Sequence, residues 1–217
     1  MEVNEKIEEL IKKEERESIY YILYIGVSAY KRLLEDYPEL TRSDSFSEIR
    51  TRILSFVIKR QFEDDVLSKE FPFKVQLKDV NKFKSKALFL NNKLTRLKIH
   101  KTVRRNTLHN SNKISDYMLK ESEVNAKHRK QIKMLIFENN EAQIGEEKHT
   151  FMILGYGVRE KEIDHLDFMI PSWDMKKVEE TFNALEEYKQ TILMDTNKEQ
   201  TEKRILSLKE EAIGLVK

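Results

Sequence analysis

Apolar residues recur at helical spacing from the start of the chain. Ile7, Leu10 and Ile11 begin a stripe that Tyr20, Leu23, Tyr24, Val27, Tyr30, Leu34 and Tyr37 continue, which predicts one helix over residues 3–37. Pro38 ends it, because proline disfavours a helical residue before it. After the polar stretch TRSDSFSEIR, Ser45 or Ser47 is placed to cap a second helix. Its apolar face carries Ile49, Ile53, Phe56 and Val57, and it runs to about Val66.

The period then changes. FPFKVQLKDV alternates around Phe73, Val75 and Leu77, a strand signal. KALFL and KLTRLKIHKTV are two further runs around Asn91-Asn92, and asparagine tolerates the left-handed backbone of a tight hairpin. IKMLIF, HTFMILGYGV and EIDHLDFMIP are three more strand-like runs with short polar links, as in a meander. Residues 104–131 form a long basic insertion with a short helix in ISDYMLKESEVNAKHRK, capped by Ser111 or Ser115. Ser172 or Asp174 can cap a helix bearing Met175, Val178, Phe182, Leu185 and Ile192, and Thr196 with Glu199 has capping-box spacing for a last helix ending near Gly214. Trp173, the sole tryptophan, is expected to anchor the final helix on the sheet.

The order helices, strands, helices indicates an α+β fold. The expected architecture is a central, mostly antiparallel sheet of about five or six strands with long N-terminal and C-terminal helices. The expected sections are 1–66, 67–171 and 172–217, within one compact domain. With 217 residues a core forms without staples, and the absence of cysteine removes disulfides, thiol nucleophiles and cysteine-ligated zinc. Five glycines and three prolines argue against propellers and glycine-rich phosphate loops, and no cofactor is expected. The longest apolar run, Ile19 to Tyr30, is too short to span a bilayer, so a cytoplasmic protein with no membrane partner is expected.

Charge alters this picture. The chain is nearly neutral at +2, yet residues 82–133 carry a net +12 between sections of −3 and −7. No Asp or Glu lies between Lys93 and Lys113. Read as a strand, KLTRLKIHK puts Arg96, Lys98 and His100 on one face, opposite Thr95, Leu97, Ile99 and Lys101. Arg104, Arg105 and Lys113 follow, and Arg129 and Lys130 come later. With Lys101, these residues make a candidate surface for phosphates or an acidic protein. Neutralisation by the acidic terminal helices is the bland alternative.

Other constellations are thinner. RRNTLH sets Arg104 and His109 in an R-x4-H arrangement, which resembles the short signature of the higher-eukaryote-and-prokaryote nucleotide-binding ribonucleases. The resemblance implies a histidine moving protons and an arginine steadying the phosphoryl oxygens. The five histidines form no close ligand pair. In DHLD, Asp164 and His165 point to opposite faces of a strand, so no metal site is expected. Glu146 to Lys148 has E-x-K spacing but falls in a predicted connection. The tyrosine stripe of the first helix reads as core, and the terminal helices could form a homodimer seam.

ALFLNNKLTRLKIHKT, the hairpin HTFMILGYGVREKEIDHLDFMIP with its following helix, and the Lys/Glu/Ile/Asn-rich composition resemble uncharacterised proteins carried by phages and mobile elements of low-GC Gram-positive bacteria. The resemblance implies a protein that binds host machinery, defence systems included. The leading expectation is a non-enzymatic binding protein acting on host defence or nucleic-acid machinery through the basic surface, its partner an acidic host protein or a nucleic acid. A DNA- or RNA-binding regulator and a ribonuclease using Arg104 and His109 are the alternatives.

Overall fold

The computed structural model describes residues 5–38, 44–63, 67, 70–81, 85–108, 114–137, 149–194 and 198–214. Along the chain come α1 (Glu5–Leu10), α2 (Lys13–Asp36), α3 (Asp44–Arg60), β1 (Lys74–Asp79), β2 (Lys86–Asn91), β3 (Thr95–Lys101), α4 (Asp116–Phe137), β4 (Thr150–Arg159), β5 (Glu162–Pro171), β6 (Val178–Asn183), α5 (Leu185–Leu193) and α6 (Lys198–Ile213). This is an α+β fold with a six-stranded, mostly antiparallel sheet in the order β1-β2-β3-β4-β5-β6. The chain divides into a sheet unit (1–12, 72–157, 165–184) and a helical unit (13–71, 158–164, 185–217).

In the sheet unit, β1 and β2 pair antiparallel, as do β2 and β3. The β2–β3 turn is built differently from the sequence expectation, since Asn91 and Asn92 keep negative φ. Instead the Asn92 Oδ1 accepts from the backbone of Leu94 (2.9 Å) and Thr95 (2.7 Å), so the side chain closes the turn. β3 and β4 run parallel, joined by the crossover through α4. The apolar run 132–137, expected as a strand, is the last part of α4. Nothing between Ser115 and Phe137 breaks a helix, and a six-residue apolar run has no period of its own to decide the matter.

A two-residue turn, with Glu160 (φ 49°) and Lys161 (φ 69°), joins β4 to β5. A fourth hairpin stands where the sequence suggested a helix. Residues 178–183 are β6, and the helix starts only at Leu185. Ser172 and Asp174, expected as helix caps, close the β5–β6 loop. Ser172 Oγ donates to Asp174 Oδ1 (2.7 Å) and accepts from Lys177 N (3.2 Å), and Met175 adopts φ 56°. Serine and aspartate bind backbone amides in turns as readily as at helix starts, so their presence does not separate the two. Trp173, expected to anchor the final helix on the sheet, sits in this loop at 54% exposure. Its carbonyl accepts from Ser122 Oγ at 2.7 Å.

One face of the sheet carries Phe89, Phe151, Ile153 and Met169 against Met118 of α4 and Leu108. Burying each large apolar side chain stabilises by about 1.5–3 kcal/mol. Asn125 of α4 fixes the helix to this face. Its amide accepts from Phe151 N (3.0 Å) and donates to the carbonyls of Phe151 (3.1 Å) and Pro171 (2.8 Å).

The expected first helix is two. The carbonyl of Leu10, which a continuing helix would use, accepts instead from Thr95 Oγ1 (3.1 Å) and Asn92 Nδ2 (3.3 Å). The ladder is broken there and restarts at Lys13.

The helical unit gathers α3, α5 and α6 around α2. The predicted stripe faces inward: Tyr20, Leu23, Val27, Tyr30 and Leu34 are buried, and Tyr24 and Tyr37 are half-buried. At Gly26 a Cβ would lie 3.2 Å from the Ile58 Cα, so glycine permits the close α2–α3 crossing. Arg16, wholly buried, makes a two-pronged contact with Glu187 of α5 (2.7 and 2.9 Å), and Tyr20 donates to the same carboxylate at 2.8 Å. No helix among the described residues is long and apolar enough to cross a membrane.

Candidate functional site at the basic strand

Alternation in β3 puts Arg96, Lys98 and His100 on one face, as the sequence predicts, and that face turns towards α4. The first two turns of that helix cover them. Glu121 accepts from Arg96 Nε at 2.6 Å and from Nη2 at 3.3 Å, while Asn91 Oδ1 accepts from Nη1 at 2.9 Å. The guanidinium also lies 4.4 Å from the centre of the Phe89 ring. Lys98 is only 2% exposed. Its ammonium sits 3.3 Å from Met118 Sδ, 3.5 Å from His100 Nδ1 and 4.9 Å from the Tyr117 ring centre. Lys98 therefore cannot reach a partner at the surface, and Arg96 is spoken for by a carboxylate. The acid that neutralises Arg96 comes from within the basic section.

Glu121 also holds Lys78 of β1 at 2.8 Å. Burial pushes the Glu121 carboxyl up, but the hydrogen bonds and charges of Lys78 and Arg96 outweigh it and hold the group below its ordinary value. A carboxyl with a lowered folded-state pKa adds stability above its unfolded value, near 4.3, and loses it as pH falls through the folded value. Acid titration of the Glu121→Gln variant should therefore show a shallower loss of stability below about pH 4 than the parent, followed by urea midpoints.

The chain leaves β3 through Thr102, whose hydroxyl lies 2.8 Å from His165 Nε2 on β5. Gly155 makes room: a Cβ there would stand 3.2 Å from Thr102 Cγ2 and 2.7 Å from Met169 Cε. Beyond Thr102 the chain turns outward. Val103, at 69% exposure, and Arg104 and Arg105 face solvent. The loop is fixed from beneath by Asp167, a β5 residue 1% exposed. Its carboxylate accepts from Arg105 Nη2 (3.4 Å) and from the backbone of Asn106 (3.3 Å). Asn106 holds φ 52° and its side chain accepts from Thr181 of β6 at 2.9 Å.

No family model, curated protein or solved structure matches the chain. The geometry stands alone as the guide to function.

Of the residues predicted to bind, Arg96, Lys98 and His100 share one covered face, Lys101 is half-buried, and Arg104 and Arg105 are exposed on the loop. Lys113 lies outside the described residues, as do His109 and the Glu146–Lys148 triplet. Arg129 and Lys130 fall within α4, but their side chains are outside the described set. In DHLD, His165 and Asp167 are buried and engaged by the loop after β3, and Asp164 pairs with Arg159 at 3.3 Å. Among the described residues no group of three or more His, Asp or Glu is placed to hold a metal. Sequence reading missed Glu121 and Asp167, the two carboxylates that sort the cations into buried and displayed. Glu121 was legible as one of three acids in the basic section. Asp167 was not, because nothing local ties it to a loop some sixty residues away.

Proposed function

We propose that the chain is a non-enzymatic binding protein that meets an acidic partner protein through the loop after β3, with Arg104 and Arg105 as its charged contacts. One observation carries this reading. The inner cations of the basic section are covered by α4, whereas Arg104 is exposed and Arg105, exposed too, lies with its guanidinium 3.4 Å from the buried Asp167 that also holds the loop backbone at Asn106. A braced loop loses little conformational freedom on binding. Val103 places an apolar surface beside the two guanidiniums, and interfaces with proteins combine arginine with apolar contact in this way. The resemblance to phage and mobile-element proteins favours a partner in host defence or nucleic-acid machinery.

The test is capture from nuclease-treated host lysate by the parent and by the double variant Arg104→Glu, Arg105→Glu. We expect the parent to retain a protein that the variant loses by about a hundredfold, since each reversal removes a charge contact worth more than about 1.4 kcal/mol. Equal capture by both, or capture that disappears with nuclease treatment, overturns the reading.

A further inference from the structure

The opposite end of β3 holds a second basic feature, independent of the loop. β1 begins, β2 ends and β3 begins around a hollow of about 330 Å³. Lys74, Asn91 and Arg96 stand abreast on these three strands, each the register partner of the next. Lys93, from the β2–β3 turn, and His149, just before β4, complete the basic lining. Three cations and an imidazole thus line the hollow from three separate stretches of chain, and among the described residues no carboxylate lines the space.

Elsewhere among the described residues, lysines commonly meet an acid. Lys31, Lys78, Lys86, Lys189 and Lys209 each form an ion pair. Lys74 and Lys93 form none among the described residues, although acids are as numerous as bases in this chain. The walls are firm. Asn91 Nδ2 donates to the Lys74 carbonyl (3.3 Å), its Oδ1 holds Arg96, and Asn92 closes the turn. The lysine ammonium groups, the imidazole and the Gln76 amide are donors that these bonds leave over.

We propose that this hollow binds a phosphate group, either free phosphate or the phosphate of a small phosphomonoester. Its volume is at the lower end for small-molecule sites, room for one phosphate and a modest appendage. A compact dianion answers converging lysines, and charge-assisted hydrogen bonds are the strong ones. Arg96 acts from the wall, its guanidinium oriented by Asn91 and shared with Glu121.

Calorimetric titration of the full chain with inorganic phosphate and with adenosine monophosphate, in chloride buffer, tests the assignment. We expect saturable binding at one site, weakened about tenfold or more in each of Lys74→Met and Lys93→Met, exposed positions where the fold tolerates the change. Glu121→Gln removes the competing carboxylate from Arg96 and should strengthen binding. The Arg104→Glu, Arg105→Glu variant should bind as the parent does, which separates this site from the loop. Tighter binding of the nucleotide identifies a phosphomonoester, and equal binding identifies free phosphate. No saturable binding of either probe, affinity indifferent to Lys74 and Lys93, or binding confined to oligonucleotides overturns the proposal.

Discussion

Replacing Glu187 by alanine should destabilise the helical unit by about 3–5 kcal/mol, enough to unfold a marginal domain. Arg16 is wholly buried, and Glu187 is the carboxylate that meets it with two hydrogen bonds while also accepting from Tyr20. Without Glu187 the guanidinium charge stays in the interior and loses the carboxylate that meets it with two hydrogen bonds. The cost is chiefly that of a buried charge less well compensated, not the worth of the pair. The double variant Arg16→Met, Glu187→Leu should accordingly recover most of the loss. Urea unfolding of the two singles and the double decides this, and a double variant as unstable as Glu187→Ala would refute the account. Burial raises the Glu187 carboxyl, but the bonds from Arg16 and Tyr20 and the arginine's charge bring it below its ordinary value. The pair's contribution is therefore complete above the unfolded pKa and fades as pH drops through the lowered folded one.

Asn125→Leu should cost the sheet unit about 2–4 kcal/mol, from leaving buried backbone groups without partners at about 1–3 kcal/mol each. Leucine is close in size, so the loss comes from hydrogen bonds and not from a cavity. The asparagine amide serves a backbone N–H and two carbonyls at once, all buried. Aspartate in its place keeps the acceptor for Phe151 N but, as a carboxylate, has no hydrogen to give either carbonyl, so it should rescue only part of the loss. Protection of the Phe151 amide from hydrogen exchange is a local readout. A normal rate in Asn125→Leu would show that the amide does not depend on this side chain.

How much of this was written in the sequence varies with the range of the forces involved. The amphipathic stripe of α2, the alternation in β3 and the α+β class were legible because each depends on neighbours a few residues away. The break at Leu10 was not, because its cause is a turn some eighty residues downstream. The capping residues Ser172 and Asp174 were recognised for their chemistry and assigned to the wrong structure, since that chemistry serves turns and helices alike. The apolar stretch ending at Phe137 carried no period to choose helix over strand. For the candidate site, the face of Arg96, Lys98 and His100 was read correctly from alternation, but its fate was not. Whether a basic face meets solvent or a helix depends on the path of α4, which the crossover to a parallel strand decides. The phosphate hollow was hidden for a related reason. Lys93 and Arg96 are close in sequence, but Lys74 lies on another strand, and only the register brings it alongside them.

The pairing of Arg16 with Glu187 also has a meaning in time. A ribosome adding about 5–20 residues per second needs roughly 10–35 seconds to travel the 171 positions between them. Throughout that interval α2 has been made, and the carboxylate its arginine needs has not. α6, which also packs on α2, comes later still. The helical unit is drawn from three stretches of chain, the last beginning at residue 185, so it closes only once that last stretch has been made. The sheet unit has all its strands by Asn183. A nascent chain therefore carries the apolar stripe of α2 waiting for its cover, and premature termination before residue 185 leaves that stripe permanently open to aggregation.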